Sequence, residues 1–301
     1  MKKYLEWSKE PYGGEETPPK DPVTPLAGDW PLTFLKRNNR GDFLNPDGRR
    51  RLDLPILHPD QIDFEEELKA VQHALDHLTT EQENIGVFYG SGVPTKQWTP
   101  VIDRLIDTYG VSPVYAARIL AAVQMAINDT MIVVWNLKYK WDTARPVQYD
   151  HSLQPVLCTP RFPSYPSGHA SMSGCAEVVL SYFFPRESSK LKRFAEEDAI
   201  SRLYSGVHFP IDNDEGLKLG RYIGGIIVAH LQEQRDKDGA IDQPYELFRN
   251  ADFFAPKFKQ FIPYAFSDEC TSNVRSEKGP ASKLTSFDSP KSSHPKPKLF
   301  Y

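Results

Sequence analysis

The segment from Ser112 to Tyr139 is long and mostly apolar, and it limits the folds open to this chain more than any other segment. Its pattern is that of one long helix and not of a series of alternating strands. Five small side chains would let neighbouring helices approach it closely: Ala116, Ala117, Ala121, Ala122 and Ala126. We therefore predict that this helix runs through the core.

Further helices are predicted on both sides of this segment. Apolar residues recur at helical spacing from Asp60, the expected cap, to about residue 78, and the other helices span 99–109, 170–184, 187–204 and 212–234, with a short one within 244–266. Residues 84–100 and 141–166 are predicted loops, rich in glycine or proline. Four glycines suit tight packing of the last long helix: Gly216, Gly220, Gly224 and Gly225. The sequence predicts an all-α fold, a helical bundle with its site between core helices.

Composition divides the chain into three parts. Residues 1–58 are rich in proline and glycine and indicate an extended arm on the domain, residues 59–266 form the helical catalytic domain, and residues 267–301 resemble a tail of low order. The three cysteines are Cys158, Cys175 and Cys270, which we interpret as too few and too scattered for a disulfide framework or a zinc site.

Charge and hydropathy narrow the partners that are expected. The net charge is −4, which does not favour nucleic-acid binding. No secretory signal is recognised before Tyr12, and no run reaches the roughly 18 to 20 apolar residues that span a bilayer, because Arg118 and Asp129 interrupt the longest candidate. We expect a cytoplasmic protein without membrane insertion, which acts on small molecules and could form a homo-oligomer.

The tetrapeptide Pro166-Ser167-Gly168-His169 is the strongest local signal for chemistry. Proline ends the preceding segment, and Ser167 is placed to cap the helix that follows. The start of a helix offers unpaired N–H groups, and Gly168 lets an anion approach the backbone closely. His169 would stand in the first turn as a general acid or base. By itself, the motif is also ordinary turn chemistry.

Two more motifs supply cationic charge. One runs from Lys138 to Arg145-Pro146, with six residues between the two cations, and the other runs from Ser201-Arg202 to His208 and Asp212. Lys138, Arg145 and Arg202, with the Ser167 hydroxyl and the Gly168 N–H, can neutralise and hold one tetrahedral oxyanion. Taken singly, each cation would more often form a surface salt bridge.

These three motifs, in this order, resemble the signature of the type 2 phosphatidic acid phosphatase and vanadium haloperoxidase superfamily, whose fold is a helical bundle. The resemblance implies that His208 contacts the central atom, as a phosphohistidine nucleophile in phosphatases or as the vanadium ligand in haloperoxidases. Asp212 would orient the ring of His208, although it could also simply cap a helix. The implied cofactor is vanadate, and phosphate would occupy the same site in a phosphatase.

Four positions bear on which chemistry to expect. Trp135 and Phe162 resemble aromatic positions that line the vanadate pocket of chlorinating members, and Asp129 matches an acidic residue of bacterial haloperoxidase-like sequences that would act near His169. Ala144 departs from the pattern, since many of those relatives carry an aromatic residue before Arg-Pro, and this puts the peroxide pocket in doubt.

Three functions therefore stay open. The first is a soluble vanadium-dependent haloperoxidase-like enzyme that oxidises halide with peroxide. The second is a soluble acid phosphatase that hydrolyses phosphate esters through a phosphohistidine. The third is an idle phosphate- or vanadate-binding protein, which the complete set of His169 and His208 disfavours.

Overall fold

The structure, a computed structural model, describes residues 2–254, 260 and 270–275. Within them lie eight α-helices: α1 (Phe64–Asp76), α2 (Thr80–Gly90), α3 (Thr95–Tyr109), α4 (Pro113–Trp141), α5 (Pro146–Tyr149), α6 (Gly168–Phe183), α7 (Ser188–Tyr204) and α8 (Pro210–Gln232). There are also two short antiparallel hairpins, β1 (Lys36–Arg37) with β2 (Phe43–Leu44) and β3 (Arg235–Asp236) with β4 (Gly239–Ala240). Three short 3-10 helices lie at Ala27–Asp29, Pro59–Gln61 and Pro185–Glu187. The predicted all-α fold is confirmed.

Helix α2 replaces part of the loop that was predicted over residues 84–100. A capping box starts it, in which Thr79 and Gln82 bond each other's backbone N–H. Its glycines serve close packing rather than a turn. A Cβ on Gly86 would lie 2.9 Å from the Ser205 hydroxyl, and one on Gly90 would lie 2.0 Å from the Leu157 side chain. The loop prediction was therefore wrong over residues 84–90, and also over residues 95–98, because α3 begins at Thr95 and not at residue 99.

Smaller differences occur at element ends. Asp63, rather than Asp60, caps α1 by accepting a hydrogen bond from the backbone N–H of Glu66. Residues 244–254, where a short helix was predicted to begin, are not helical, and most of its remaining residues lie outside the described part of the chain.

Helix α6 lies at the centre of the bundle and packs on α4, α7 and α8. Its contact with α8 is so close that a Cβ on Gly220 would lie 1.9 Å from the Ser171 carbonyl oxygen, and one on Gly216 would lie 2.9 Å from the Ser167 carbonyl oxygen. Only glycine permits this approach. As a result, the N-terminus of α6 lies beside the N-terminus of α8, where the motif of residues 166–169 meets the motif of residues 201–212.

Helix α4 is the one described helix whose length and composition would let it span a membrane. This corrects the expectation that no segment is long and apolar enough, since polar interruptions do not outweigh its apolar residues. In this fold more than half of its most apolar stretch is buried. Arg118 forms two hydrogen bonds of 2.6 Å to Asp242, and Asp129 is fully buried. Within the folded protein, both the polar and the apolar side chains of α4 thus have partners.

The N-terminal residues run across α4 and the loop before α6. Trp7 and Tyr12 are buried there, and the Tyr12 hydroxyl donates to the Pro160 carbonyl at 2.7 Å. The Asp129 carboxylate accepts three hydrogen bonds of 2.7 to 2.8 Å from the backbone N–H groups of residues 33–35. Asp129 thus fastens this segment, and its expected role near His169 stays a prediction.

A disulfide joins Cys158 to Cys270, and Cys175 is a buried free thiol. The prediction of no disulfide framework did not anticipate this single bond, because 112 positions separate the two partners and their spacing carries no local signal. Residues 270–275 lie against the domain, where Asn273 N–H donates to the Gly13 carbonyl and Arg275 N–H to the Pro155 carbonyl. The rest of the predicted tail lies outside the described residues, and the three-part division of the chain stays a prediction.

Candidate active site

Ser167 joins the starts of α6 and α8. Its hydroxyl accepts a hydrogen bond from the Ala170 N–H at 3.4 Å, as predicted for the cap. Its own N–H donates to the Asp212 carbonyl at 2.9 Å. Gly168 follows as the first residue of α6, where N–H groups have no partner within the helix. This arrangement places the anion-binding donors at the start of α6 next to the motif of residues 201–212.

The His208 ring is held at both nitrogens. Nδ1 lies 2.8 Å from Asp212 Oδ2, while Nε2 lies 3.0 Å from Arg145 Nη1. A carboxylate partner keeps the proton on Nδ1, so the unprotonated Nε2 accepts a hydrogen bond from Arg145. Burial and the neighbouring Arg145 lower the pKa of His208 well below its ordinary value, so the ring is neutral. Neutral His208 can act as a ligand or a nucleophile through Nε2.

Asp212 occupies the first turn of α8 and is fully buried. Besides His208, its Oδ2 accepts from the Ser164 hydroxyl at 2.5 Å and from the Phe209 N–H at 3.1 Å. Burial raises the pKa of Asp212 to about 6, and the Ser164 hydrogen bond is the largest influence that opposes this rise. Asp212 thus both orients His208 and satisfies the start of its helix.

Lys138 and Arg145 are both fully buried, which is unusual for cations. Lys138 Nζ donates to the carbonyls of Pro163 at 2.8 Å and Ser164 at 2.5 Å. Arg145 donates through Nη1 to the Val207 carbonyl at 2.7 Å, while its buried Nη2 has no hydrogen-bond partner. Burial lowers the pKa of Arg145 to about 10 and that of Lys138 well below its ordinary value.

Arg202 supplies the third cation from α7. It is 3% exposed, and neither its Nε nor its Nη1 has a hydrogen-bond partner. Burial lowers its pKa to about 10, against the opposing effect of the buried Asp198 one turn earlier. A Cβ on Gly90, at the end of α2, would lie 3.1 Å from Arg202 Nη1.

His169 lies half-buried at the other side of the site, in the first turn of α6. Its Nε2 is 3.3 Å from the Tyr89 carbonyl at the end of α2. Burial and then Arg202 lower the pKa of His169 well below its ordinary value. In the free protein His169 is therefore a neutral ring, and an anion bound among the three cations would raise its pKa.

The two predicted wall residues contact each other and the cations. The Trp135 and Phe162 rings lie 4.9 Å apart between centroids, and the Arg145 guanidinium lies 4.8 Å from the Phe162 ring. Trp135 Nε1 and the Tyr139 hydroxyl both donate to the Val23 carbonyl of the N-terminal segment. The N-terminal segment therefore helps to fix this aromatic wall.

Three groups of the site were not predicted from the sequence. Ser164 bonds Asp212, Asp198 influences Arg202, and the Tyr89 carbonyl contacts His169. Ser164 stands three residues before Ser167, so its proximity to the motif was a signal. Asp198 stands one helical turn before Arg202, which was a second signal. A backbone carbonyl on a distant helix leaves none.

The site fits a multiply charged oxyanion. Arg145 Nη2 and Arg202 Nε and Nη1 are three buried N–H positions without a partner, and leaving them so is costly. Besides burial, Arg145 lowers the pKa of Lys138 and Arg202, and all three cations lower the pKa of both histidines. A bound phosphate or vanadate would satisfy these donors and remove the mutual repulsion. The described geometry thus favours an anion among Arg145, Arg202 and His208.

The chain shares its fold with solved haloperoxidases. The first bacterial vanadium-dependent iodoperoxidase is 23% identical with a TM-score of 0.58, over 76% of this chain and 61% of that one. A bacterial vanadium-dependent chloroperoxidase in its holo form is 16% identical with a TM-score of 0.54, over 72% and 58%. The chain thus spans about 60% of the length of these proteins, and the likeness establishes a common fold.

The sequence itself matches one family model. Residues 116–236 match the PAP2 superfamily, whose members are phosphatases or haloperoxidases. Comparison with curated protein sequences finds no significant match. Every predicted site residue, from Trp135 to Asp212, falls inside the matched range. The chain therefore carries a PAP2 superfamily domain. The anion-binding cage, which we define as Lys138, Arg145, Arg202 and His208, lies within it.

Proposed function

We propose that this protein is a vanadium-dependent haloperoxidase-like enzyme, which oxidises halide with peroxide at a vanadate held by His208. The observation that carries the proposal is the aromatic wall, in which Phe162 lies against Trp135 and over Arg145. Such a wall limits water beside the anion and suits a peroxide and a halide as substrates. The common fold with bacterial haloperoxidases supports it.

The residues of the chain divide the work as follows. His208 Nε2 would bind the vanadium, and Lys138, Arg145 and Arg202 would neutralise the vanadate oxygens. Asp212 holds the proton on His208 Nδ1, and His169 would transfer a proton to or from a bound substrate. Bound vanadate would supply the electrophilic activation of peroxide that halide oxidation requires.

Phosphate-ester hydrolysis is the second candidate, and it rests on the unprotonated Nε2 of His208. A neutral histidine with Asp212 behind it is a competent nucleophile toward phosphorus. The same three cations would stabilise the charge on the transferred phosphoryl group. Both candidates thus need the same cage, and they differ in whether vanadate activates or inhibits.

One experiment separates the two candidates. Purified protein is assayed with and without orthovanadate, once for peroxide-dependent bromination and once for hydrolysis of a phosphate monoester. We expect bromination that depends on vanadate. Hydrolysis that vanadate inhibits, with no bromination, would instead assign the phosphatase activity. If the protein binds vanadate but shows neither activity, it would be an anion-binding protein and not an enzyme.

We also propose that the protein is soluble, does not insert into a membrane and acts on small molecules. Partition between a membrane pellet and the supernatant tests it, because α4 could span a bilayer by composition. The expected cytoplasmic location also stays a prediction. The Cys158–Cys270 disulfide weighs against it, since disulfides persist mainly in oxidising compartments. Fractionation of the native host, with thiol labelling of the protein, tests the location.

A further inference from the structure

Ser164 contacts two sides of the oxyanion site at once. Its hydroxyl lies 2.5 Å from Asp212 Oδ2 and 3.4 Å from His208 Nδ1. Its carbonyl accepts the hydrogen bond of 2.5 Å from Lys138 Nζ. Ser164 therefore links the Asp212–His208 pair to Lys138.

The backbone holds Ser164 in place independently of these contacts. Its N–H donates to the Thr143 carbonyl at 2.9 Å, and the next N–H, of Tyr165, donates to the Thr143 hydroxyl at 2.8 Å. The Ser164 side chain is fully buried, so water cannot take its place without a rearrangement. The hydroxyl is thus a fixed donor aimed at Asp212.

The Asp212 carboxylate needs such a donor because its two oxygens are used unequally. Oδ2 accepts from His208, Ser164 and the Phe209 N–H, whereas Oδ1 is buried without a hydrogen-bond partner. A carboxylate that loses one of these donors can turn and offer His208 either oxygen in a poorer geometry. The Ser164 hydroxyl opposes this rotation.

We propose that Ser164 is a positioning residue of the oxyanion site, whose hydroxyl fixes the Asp212 carboxylate and thereby the orientation of the His208 ring. The inference rests on the proposed function, because it assumes that the anion binds at His208 Nε2. Ser164 itself would not touch the anion. Its effect reaches the site through Asp212 and His208.

The test compares Ser164→Ala with Ser164→Thr, which keeps a hydroxyl, and with Ser205→Ala. Ser205 is a matched control, because it is an equally buried serine whose hydroxyl donates to the Ser201 carbonyl. In the anion-free protein, proton NMR follows the downfield Nδ1–H signal of His208, assigned by its loss in His208→Gln. We expect Ser164→Ala to move this signal upfield and to speed its exchange with water, while Ser164→Thr and Ser205→Ala preserve it.

Calorimetry with orthovanadate is the second measurement. Loss of one buried hydrogen bond to a charged group predicts binding that is about tenfold weaker in Ser164→Ala, and wild-type binding in Ser205→Ala. An unchanged Nδ1–H signal, or vanadate affinity within twofold of wild type, would overturn the role of Ser164. Absence of vanadate binding in the wild type would refute the proposed function instead, and the NMR signal would still decide the role of Ser164. If Ser164→Thr does not fold, Ser164→Cys replaces it as the variant of similar size.

Discussion

At the scale of single residues, the two histidines of the site differ in what holds them. His208 is 2% exposed and fixed by Asp212, whereas His169 is half-buried and contacts the Tyr89 carbonyl through Nε2. The first arrangement suits a group that binds the anion directly. The second suits a group that moves a proton.

His208→Ala and His169→Ala should therefore fail in different ways. We expect His208→Ala to lose both activity and most of the affinity for orthovanadate, because the central atom loses its nitrogen partner. His169→Ala should lose turnover but bind the anion nearly as well as wild type. Calorimetry of both variants checks this division, and an equal loss of affinity in the two would contradict it.

The two arginines offer a second contrast at this scale. Arg145 also donates to the carbonyls of Phe162 and Val207, whereas the Nε and Nη1 of Arg202 have no hydrogen-bond partner. Removing either leaves a charged anion short of a partner, at a cost of roughly 2 to 5 kcal/mol. We expect Arg145→Ala and Arg202→Ala each to weaken vanadate binding at least about tenfold.

Thermal unfolding separates the two variants further. Arg145→Ala should lower the Tm of the anion-free protein because two buried carbonyls lose their donor. Arg202→Ala should leave the Tm unchanged or raise it, since an unsatisfied buried cation is removed. Arg221→Ala, which removes a half-buried arginine paired with Glu177, is the control for affinity. Near wild-type binding in either site variant would place that arginine outside the cage.

At the scale of elements, the aromatic wall is built by the end of α4 and the loop before α6. Phe162→Ala opens the wall beside Arg145, and we expect bromide oxidation to fall several-fold while ester hydrolysis changes little or rises. Phe254→Ala is a matched control, because Phe254 is also half-buried and lies 4.3 Å from the guanidinium carbon of Arg193. Collapse of hydrolysis, with no halogenation in any variant, would favour the phosphatase.

The contact of α6 with α8 gives the fourth prediction. A Cβ at Gly220 would clash with the Ser171 carbonyl, whereas nothing lies within 4 Å of one at Gly225 on the same helix. We expect Gly220→Ala to lower the free energy of unfolding by about 1 to 3 kcal/mol and to weaken vanadate binding, because the helix starts shift apart. Gly225→Ala should raise it by up to about 1 kcal/mol. Denaturant unfolding measures both, and similar values would contradict the packing argument.

Local pattern predicted the elements well where the determinant lies within the same few residues. The Ser167 cap and the close packing at Gly216 and Gly220 are examples, since a hydroxyl before a helix and repeated glycines act within their own segment. The partner of Asp129 could not be found this way, because residues 33–35 lie far away in the sequence. For the same reason, α2 was not recognised from glycines that pack against other helices.

At the scale of the whole molecule, contacts between distant segments complete the surroundings of the site. The Val23 carbonyl holds Trp135, and Asn273 bonds to the Gly13 carbonyl. The cage residues lie in three short sequence motifs, which is why they could be predicted. Its aromatic wall depends on the N-terminal segment, which residues 270–275 contact at Gly13, and only the folded chain brings these segments together.

The Cys158–Cys270 disulfide closes a covalent ring of polypeptide that contains His169, Arg202 and His208 but leaves Lys138 and Arg145 outside it. The β3–β4 turn lies on that ring, and the Lys237 side chain there is 90% exposed. We expect limited trypsin cleavage after Lys237 to leave one covalent molecule. A non-reducing gel should show a single band, and a reducing gel should show two. Separation of the pieces without reductant, as in Cys270→Ser, would mean that the bond is absent. Every cage residue lies on the fragment that ends at Lys237, and the bond keeps the remaining C-terminal piece attached to that fragment.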